Sequence, residues 1–226
     1  MANDKNNIEE TGLDQLNSSL TSAGEKLANN KKIIFWSVGA ILVVGCFVLS
    51  YLFIYKNPRT NSAWEAYAKV ETTAAGNDSI AAAEYKKVAD KYSTTPGGNV
   101  AALDAGSHLY ALGKYEEAAK YLRKFDSDDE VLMANALILT GDCYANLKKY
   151  NEAIEFFKKG IAEADGNGQI VPRALMKMAV VHDELKQYDQ ALNCYNRISA
   201  EYPDFQPGNG LSIEAYAARE EARLGK

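Results

Sequence analysis

The pattern of hydrophobic and polar positions divides the chain into three parts. A polar segment of 32 residues comes first, an uninterrupted apolar run from Ile33 to Tyr55 follows, and apolar residues then recur every three or four positions through 56–226. That period belongs to amphipathic helices, whereas half-buried strands alternate. The pattern therefore predicts an all-α protein in which short helices follow one apolar helix.

The apolar run has the length of a membrane-spanning helix. Its 23 residues carry no charge, and as a helix they would extend about 34 Å, against about 30 Å of bilayer hydrocarbon. Lys31 and Lys32 precede the run and Lys56 follows it, as is typical at the ends of a span. We therefore predict a transmembrane helix at 33–55.

Three other interpretations of this run fit less well. A cleavable signal peptide has a shorter apolar core and a small-residue exit. The tetrapeptide Val43–Cys46 resembles a lipoprotein box, but further apolar residues follow the cysteine. A buried core helix is the third alternative, and the flanking charges and the apolarity of every face argue against it.

The orientation of the span rests on a weaker signal. Lysine and arginine are equally frequent within about 15 residues of either end, so their count does not decide it. The adjacent pair Lys31–Lys32 and the short tail favour a cytoplasmic N-terminus, with the large domain carried across the membrane.

The polar N-terminal tail, residues 1–32, carries one helical signal. Leu13, Leu16, Leu20 and Leu27 follow spacings of three, four and seven. This leucine stripe is compatible with a short coiled coil or with a helix on the membrane surface. Because two heptads are few for a stable coiled coil, we favour a tail with transient helicity.

One phrase recurs three times in the C-terminal part. It reads GKYEEA at Gly113–Ala118, KKYNEA at Lys148–Ala153 and KQYDQA at Lys186–Ala191, so that its tyrosines lie 35 and 38 residues apart. A period near 34 residues with helical punctuation is typical of stacked helical hairpins. Gly106 and Gly141, both upstream of the phrase, would let the two helices of a hairpin approach closely.

The wider pattern resembles the tetratricopeptide repeat, a pair of antiparallel helices joined by a tight turn. The resemblance implies an α-solenoid of such hairpins, and Thr140 departs from it where the family usually has leucine. In the middle copy the family's Trp, Gly, Tyr, Ala and Phe positions are held by Leu137, Gly141, Tyr144, Ala153 and Phe157.

Turn residues predict the boundaries between hairpins. Pro96-Gly97-Gly98 and Gly166-Asn167-Gly168 are expected to break the chain, and Pro172 suits the first turn of a helix. An amphipathic last helix would cover the open end of the array. The expected segments within a domain at 56–226 are hairpins at 61–93, 99–132, 134–167 and 172–205 and a capping helix at 210–224.

The sequence contains no recognised catalytic or metal-binding motif. It lacks a phosphate-binding glycine loop, a zinc-binding His-Glu-x-x-His pair and a nucleophile elbow, so we expect no enzymatic activity, cofactor, metal or small-molecule substrate. His108 and His182 are expected to be structural. The acidic run Asp126–Glu130 is expected to be a solvated loop and helix start rather than a calcium loop.

Charge and cysteine content narrow the classes of partner. A net charge of −5 with both signs mixed along the chain argues against nucleic-acid binding. Cys46 lies in the apolar run, and the spacing of the three cysteines matches no zinc site. A bridge between Cys143 and Cys194 is a minor alternative, because both lie in helical repeats that do not obviously bring them together.

In a hairpin solenoid the first helix of each pair lines the concave face, where partners bind. Arg173 and Lys177 resemble one third of the clamp by which some tetratricopeptide domains hold a C-terminal carboxylate, but Leu103, Ser107 and Leu139 replace its other residues, so we expect two solvated bases. Aligning the copies predicts a mostly apolar groove for a peptide, formed by Val100, Leu103, Ser107, Tyr110, Asn135, Ile138, Leu139, Asp142, Arg173, Met176, Lys177, Val180 and Asp183.

The order of polar tail, single span and repeat array resembles the YfgM-like family of bacterial inner-membrane proteins. That resemblance implies a periplasmic domain, association with the protein-translocation channel and a chaperone-like role toward exported proteins. The alternative hypothesis is a structural scaffold for an envelope or cell-division complex, without client binding, in which the leucine stripe of the tail makes the contact.

Overall fold

The computed structural model describes residues 21, 31–208 and 210–225. These belong to two compact units, Met1–Pro58 and Arg59–Lys226. In the described part of the chain the regular structure is helical throughout, which confirms the all-α prediction. The leucine stripe of the tail lies outside the described residues.

The first unit contains the apolar run. Helix α1 extends over Lys31–Ser50 and is followed by a π-helical turn at Tyr51–Lys56. Phe35 and Phe47 expose about three quarters of their surface. By length and composition, the helical run that begins at Phe35 is the one in the described part of the chain that could cross a membrane. It is therefore a candidate membrane span.

The second unit contains nine described helices, α2 to α10. From α3 onward, each helix packs on the one that follows it in sequence. Helices two apart, α4 with α6 and α6 with α8, also make contact, so the array extends by stacking as a solenoid does. The helices are α2 (Asn57–Thr73), α3 (Asp78–Lys91), α4 (Pro96–Ala111), α5 (Tyr115–Leu122), α6 (Glu130–Asn146), α7 (Tyr150–Glu163), α8 (Val171–Glu184), α9 (Tyr188–Glu201) and α10 (Ile213–Arg223).

Side-chain caps fix the start of several helices. Thr95 accepts a hydrogen bond from the Gly98 N–H at the start of α4, and Asp129 accepts one from the Leu132 N–H at the start of α6. Such bonds satisfy backbone donors that have no partner within the helix. The carboxylate of Asp129, within the acidic run, thus begins a helix.

The prediction of a chain break at Pro96-Gly97-Gly98 is wrong. These residues form the first turn of α4, because proline at this position has the fixed φ of a helix and loses no intrahelical hydrogen bond. The two glycines serve close packing: a Cβ on Gly97 would lie 3.1 Å from the backbone of Ala63, and one on Gly98 would collide with the carbonyl of Tyr92.

The recurring phrase begins with a left-handed residue in every copy. Gly113 has a φ of 72°, and Lys148 and Lys186 each have a φ of 59°. The residue that follows donates its N–H to a carbonyl five residues back, as Lys149 does to Tyr144 at 2.9 Å. This is the Schellman ending of a helix, which explains why the phrase recurs at each turn between paired helices.

Glycine at the second and third of these turns should stabilise the fold. Lysine in the left-handed region carries a steric cost that glycine lacks. We expect Lys148→Gly and Lys186→Gly each to raise the free energy of unfolding by about 0.5–1 kcal/mol, and Gly113→Lys to lower it by a similar amount. Urea unfolding followed by circular dichroism measures this, and a loss of stability in Lys148→Gly would contradict the assignment.

Small residues let paired helices approach, as expected. A Cβ on Gly141 would lie 2.6 Å from the ring of Phe157, and one on Gly106 would lie 2.5 Å from the Leu122 side chain. Phe157 is fully buried against Gly141. Cys143 and Cys194 are buried free thiols, with no disulfide between them.

Candidate functional site

A surface pocket of about 350 Å³ lies between α6 and α8, the first helices of neighbouring pairs. We call it the α6–α8 pocket. Six of the predicted groove residues meet there, and two more come from the chain just before α8. The lining residues are Asn135, Ile138, Leu139, Asp142, Gln169, Ile170, Arg173 and Lys177.

The apolar part of the pocket is continuous with the core. Ile138 is only 7% exposed and Ile170 is 9% exposed, so both belong to the floor, while Leu139 is half-buried. Polar groups stand around them. Asn135 is exposed and its amide donates to the Val131 carbonyl at 2.8 Å, which leaves its amide oxygen at the pocket rim.

Lys177 is not the solvated base that the sequence suggested. Its Nζ lies 2.7 and 2.9 Å from the two carboxylate oxygens of Asp142, so the pair links α6 to α8 across the pocket. Arg173 is exposed, and its guanidinium makes a long 3.4 Å contact with Gln169 Oε1. The cation with room for a ligand in this pocket is therefore Arg173.

Burial raises the pKa of the Asp142 carboxyl above its ordinary value, although the charge and hydrogen bonds of Lys177 act in the opposite sense. The folded protein thus binds this proton more tightly than the unfolded chain does. Stability from this group is therefore lost as pH rises from about 4 through the raised pKa.

Asp142→Asn should consequently stabilise the protein at neutral pH. Asparagine cannot ionise, so the variant avoids burying a charge that Lys177 only partly compensates. We expect it to exceed the parent in free energy of unfolding at about pH 7 and to match it near pH 3, where Asp142 is protonated. Urea unfolding across this range is the measurement, and a less stable variant at neutral pH would contradict the pKa direction.

The remaining predicted groove residues lie outside the α6–α8 pocket. On α4, Val100, Leu103 and Ser107 are half-buried, and the Tyr110 ring packs on Tyr115 with centroids 5.4 Å apart. Burial raises the pKa of Tyr110, and the nearby charge of Asp142 adds to the effect. Tyr110 therefore lies near the pocket without lining it.

On α8 the outlying predicted residues have three different environments. Met176 packs against the core, and Val180 is 52% exposed. Asp183 is turned to the end of the array, where its carboxylate lies 2.7 Å from Arg219 and 3.1 Å from Arg223 of α10. The inclusion of Asp183 in an open groove is therefore wrong, because the last helix covers it.

Polar contacts join several neighbouring first helices of the array. The Tyr67 hydroxyl donates to Asp104 at 2.7 Å, which links α2 to α4. Asp142 with Lys177 links α6 to α8, and Asp183 with Arg219 links α8 to α10. The members of each link are 35 to 37 residues apart, so spacing within one helix could not reveal them.

Gln169 and Ile170 are the pocket residues that sequence reasoning missed. Both precede α8, where Asn167 Oδ1 accepts from their backbone N–H groups at 3.0 and 3.1 Å. That turn places both residues in the lining of the pocket. An alignment restricted to helical positions leaves them out, although the Gly166-Asn167-Gly168 sequence does mark the turn.

The two histidines have ordinary structural partners. His182 is buried, with Nδ1 2.8 Å from Gln187 Oε1, and His108 Nδ1 lies 2.8 Å from Asp78 Oδ1. No group of three or more His, Cys, Asp or Glu side chains in the described ranges could hold a metal ion.

These features define a class: an array of helical hairpins with a ligand-sized pocket between first helices. Family models described as tetratricopeptide repeat match the chain at 74–130, 103–168 and 147–208. The chain is a tetratricopeptide-repeat protein. Such arrays are protein–protein interaction modules that bind partners on extended surfaces, and they are typically non-enzymatic.

Solved structures show the same fold. A crystal structure of MamA is 22% identical with a TM-score of 0.53, covering 66% of this chain and 80% of that one. A second MamA structure is 22% identical with a TM-score of 0.51, covering 74% of this chain and 94% of that one. A search of curated protein sequences found no match.

Proposed function

We propose that the chain is a membrane-anchored interaction module whose α6–α8 pocket binds a peptide segment of a partner protein. The observation that carries the proposal is the composition of this pocket. An apolar floor of Ile138, Leu139 and Ile170 lies beside two side-chain amides and one exposed guanidinium. The proposed groove extends from the pocket along α4 and α8.

This composition suits an extended or helical segment with an apolar side chain. The floor receives that side chain, and the amides of Asn135 and Gln169 offer hydrogen bonds to a peptide backbone. Arg173 at the rim favours an acidic group next to the apolar residue. Lys177 contributes little charge to such a ligand, because Asp142 already neutralises it.

The apolar helix α1 supports the membrane part of the proposal. A span at 33–55 would hold the repeats close to a membrane complex and so raise their local concentration there. The resemblance to the YfgM-like family suggests the bacterial inner membrane, a cytoplasmic N-terminus and a periplasmic repeat domain. In that setting the partners would be exported chains or subunits of the translocation channel, and the role would be ancillary translocation or chaperoning.

A comparison of purified complexes tests the role of the pocket. The full chain is affinity-purified from detergent-solubilised membranes in four forms: the parent, Leu139→Asp, Arg173→Glu and Asn193→Asp. Asn193→Asp is the control, because it changes an exposed residue of α9. We expect partner recovery to fall at least about tenfold in the first two variants and to stay unchanged in the control. Equal partner recovery with all four proteins would show that the α6–α8 pocket does not bind the partner.

The scaffold alternative predicts a different dependence. If the leucine stripe makes the functional contact, deletion of residues 1–30 should abolish complex assembly while Leu139→Asp has no effect. The proposed role in export further requires that the recovered proteins include exported chains or translocation-channel subunits. Recovery of envelope or division proteins through the tail alone would favour the scaffold.

A further inference from the structure

A second concavity lies on the side of the second helices, between α5 and α7 and above α6. It consists of an outer pocket of about 430 Å³ and an inner pocket of about 210 Å³, which share Arg123. We call this surface the α5–α7 cleft. Its lining residues are Glu116, Ala119, Lys120, Leu122, Arg123, Phe125, Met133, Ala136, Leu137, Thr140, Tyr144, Leu147, Lys149, Phe156 and Lys159.

The inner pocket of the cleft lies where α5 ends early. This helix has 8 residues, whereas α7 and α9 each have 14, a difference of about 9 Å in helix length. The chain after Leu122 is tied back to α4 instead of continuing the helix. Asn99 Nδ2 donates to the Asp126 carbonyl at 2.6 Å, and the Asp126 N–H donates to Asn99 Oδ1 at 3.0 Å.

The missing turns leave apolar side chains of α6 and α7 uncovered at the inner pocket. Met133 and Leu137 are half-buried, and so is Phe156, whose ring stacks on Tyr144 with centroids 5.2 Å apart. In a regular repeat the end of the second helix would cover them. This wall therefore offers an apolar cavity of a size that suits one large side chain.

The rim of the cleft is cationic. Lys120, Arg123, Lys149 and Lys159 surround it, against the single lining carboxylate of Glu116. Glu116 lies 3.9 Å from Lys149, and Lys159 pairs with Glu155. Among the ion pairs of the described residues, none includes Lys120 or Arg123. The cleft is thus positive on a chain whose net charge is −5.

We propose that the α5–α7 cleft binds a short acidic segment of a partner protein, with one leucine or phenylalanine side chain in the inner pocket. Its acidic residues lie against Arg123 and Lys120. Charge complementarity argues for the acidic groups, and the small apolar inner pocket argues for a side chain rather than a long acyl chain. This site is separate from the α6–α8 pocket and gives the protein a second place for a partner.

A synthetic peptide tests the proposal. The peptide alternates pairs of acidic residues with leucine or phenylalanine. Its binding to the full chain in neutral detergent is measured by fluorescence anisotropy. We expect saturable binding that weakens as salt rises from about 50 mM to about 300 mM. In the Arg173→Glu background, which removes binding at the α6–α8 pocket, Arg123→Glu and Phe156→Ala should each weaken binding by about tenfold or more. A control peptide with glutamine at each acidic position should also bind at least about tenfold more weakly.

The variant Arg173→Glu removes binding of the peptide at the α6–α8 pocket, so the binding that remains in this variant is assigned to the cleft. Complete loss of binding in Arg173→Glu, or its retention in the double variant Arg123→Glu/Arg173→Glu with an intact circular dichroism spectrum, would overturn the proposal. Absence of peptide binding by the parent would overturn it as well. Two further results would overturn the proposal. One is displacement of the peptide by phosphatidylglycerol vesicles. The other is a dimer, detected by light scattering, that Arg123→Glu dissociates, because the cleft would then be an interface between two copies of the chain.

Discussion

Phe157→Ala is expected to lower the free energy of unfolding by about 3–5 kcal/mol. The ring is fully buried and fills the space that Gly141 leaves between α6 and α7. Its removal would lose apolar burial and leave a cavity at the closest approach of the two helices. No neighbour can easily refill this space, because Gly141 has no side chain.

The neighbouring residue provides a matched control. Phe156 lies on the same helix but is half-buried and stacks on Tyr144, so Phe156→Ala should cost only about 1 kcal/mol. Urea unfolding of the full chain in detergent, followed by circular dichroism, compares the two. Equal losses would contradict the packing assigned to α7. Gly141→Ala added to Phe157→Ala should recover part of the loss, since the new methyl group enters the cavity.

Gly98→Ala is expected to lower the free energy of unfolding by about 3 kcal/mol. Alanine usually stabilises a helix relative to glycine by about 0.5–1 kcal/mol, so the expected sign is the reverse of the ordinary one. The reason is that a Cβ at this position would collide with the carbonyl of Tyr92, a backbone group that no rotamer change can move away.

Gly97→Ala is the control for this prediction. Its Cβ would lie 3.1 Å from the backbone and Cβ of Ala63, a tight contact that a small shift of α2 can relieve. We therefore expect a smaller loss than for Gly98→Ala in the same unfolding measurement. A neutral or stabilising Gly98→Ala would show that the turn between α3 and α4 has a different conformation.

The turns of the array could be predicted from sequence because each repeats the same local solution. Gly113, Lys148 and Lys186 end a helix with left-handed geometry, and the tyrosine that follows two residues later begins the next helix. Pro96 was misplaced for the opposite reason. Proline and glycine mark both chain breaks and first helical turns, and the close packing of Gly97 on Ala63 that accompanies the helical turn joins residues far apart in sequence.

The candidate site could be predicted only in part. Asn135, Ile138 and Asp142 share one face of α6 by helical periodicity, so their convergence with Arg173 follows from stacking. The pairing of Asp142 with Lys177 depends on the register between repeats, and the covering of Asp183 depends on α10. The inner pocket of the α5–α7 cleft lies where α5 ends early, and the hydrogen bonds of Asn99 with Asp126 hold the following chain against α4.

Site-specific photocrosslinking in cells tests the central claim most directly, because it reports contact at a chosen residue. A crosslinking amino acid is placed at Leu139 in the α6–α8 pocket, at the predicted groove position Met176 on α8, or at the exposed control position Asn193. We predict protein adducts at Leu139 and Met176 that disappear in the presence of Arg173→Glu, with none at Asn193. Absence of adducts at both Leu139 and Met176, or equal adducts at all three positions, would contradict a partner-binding groove on the first helices.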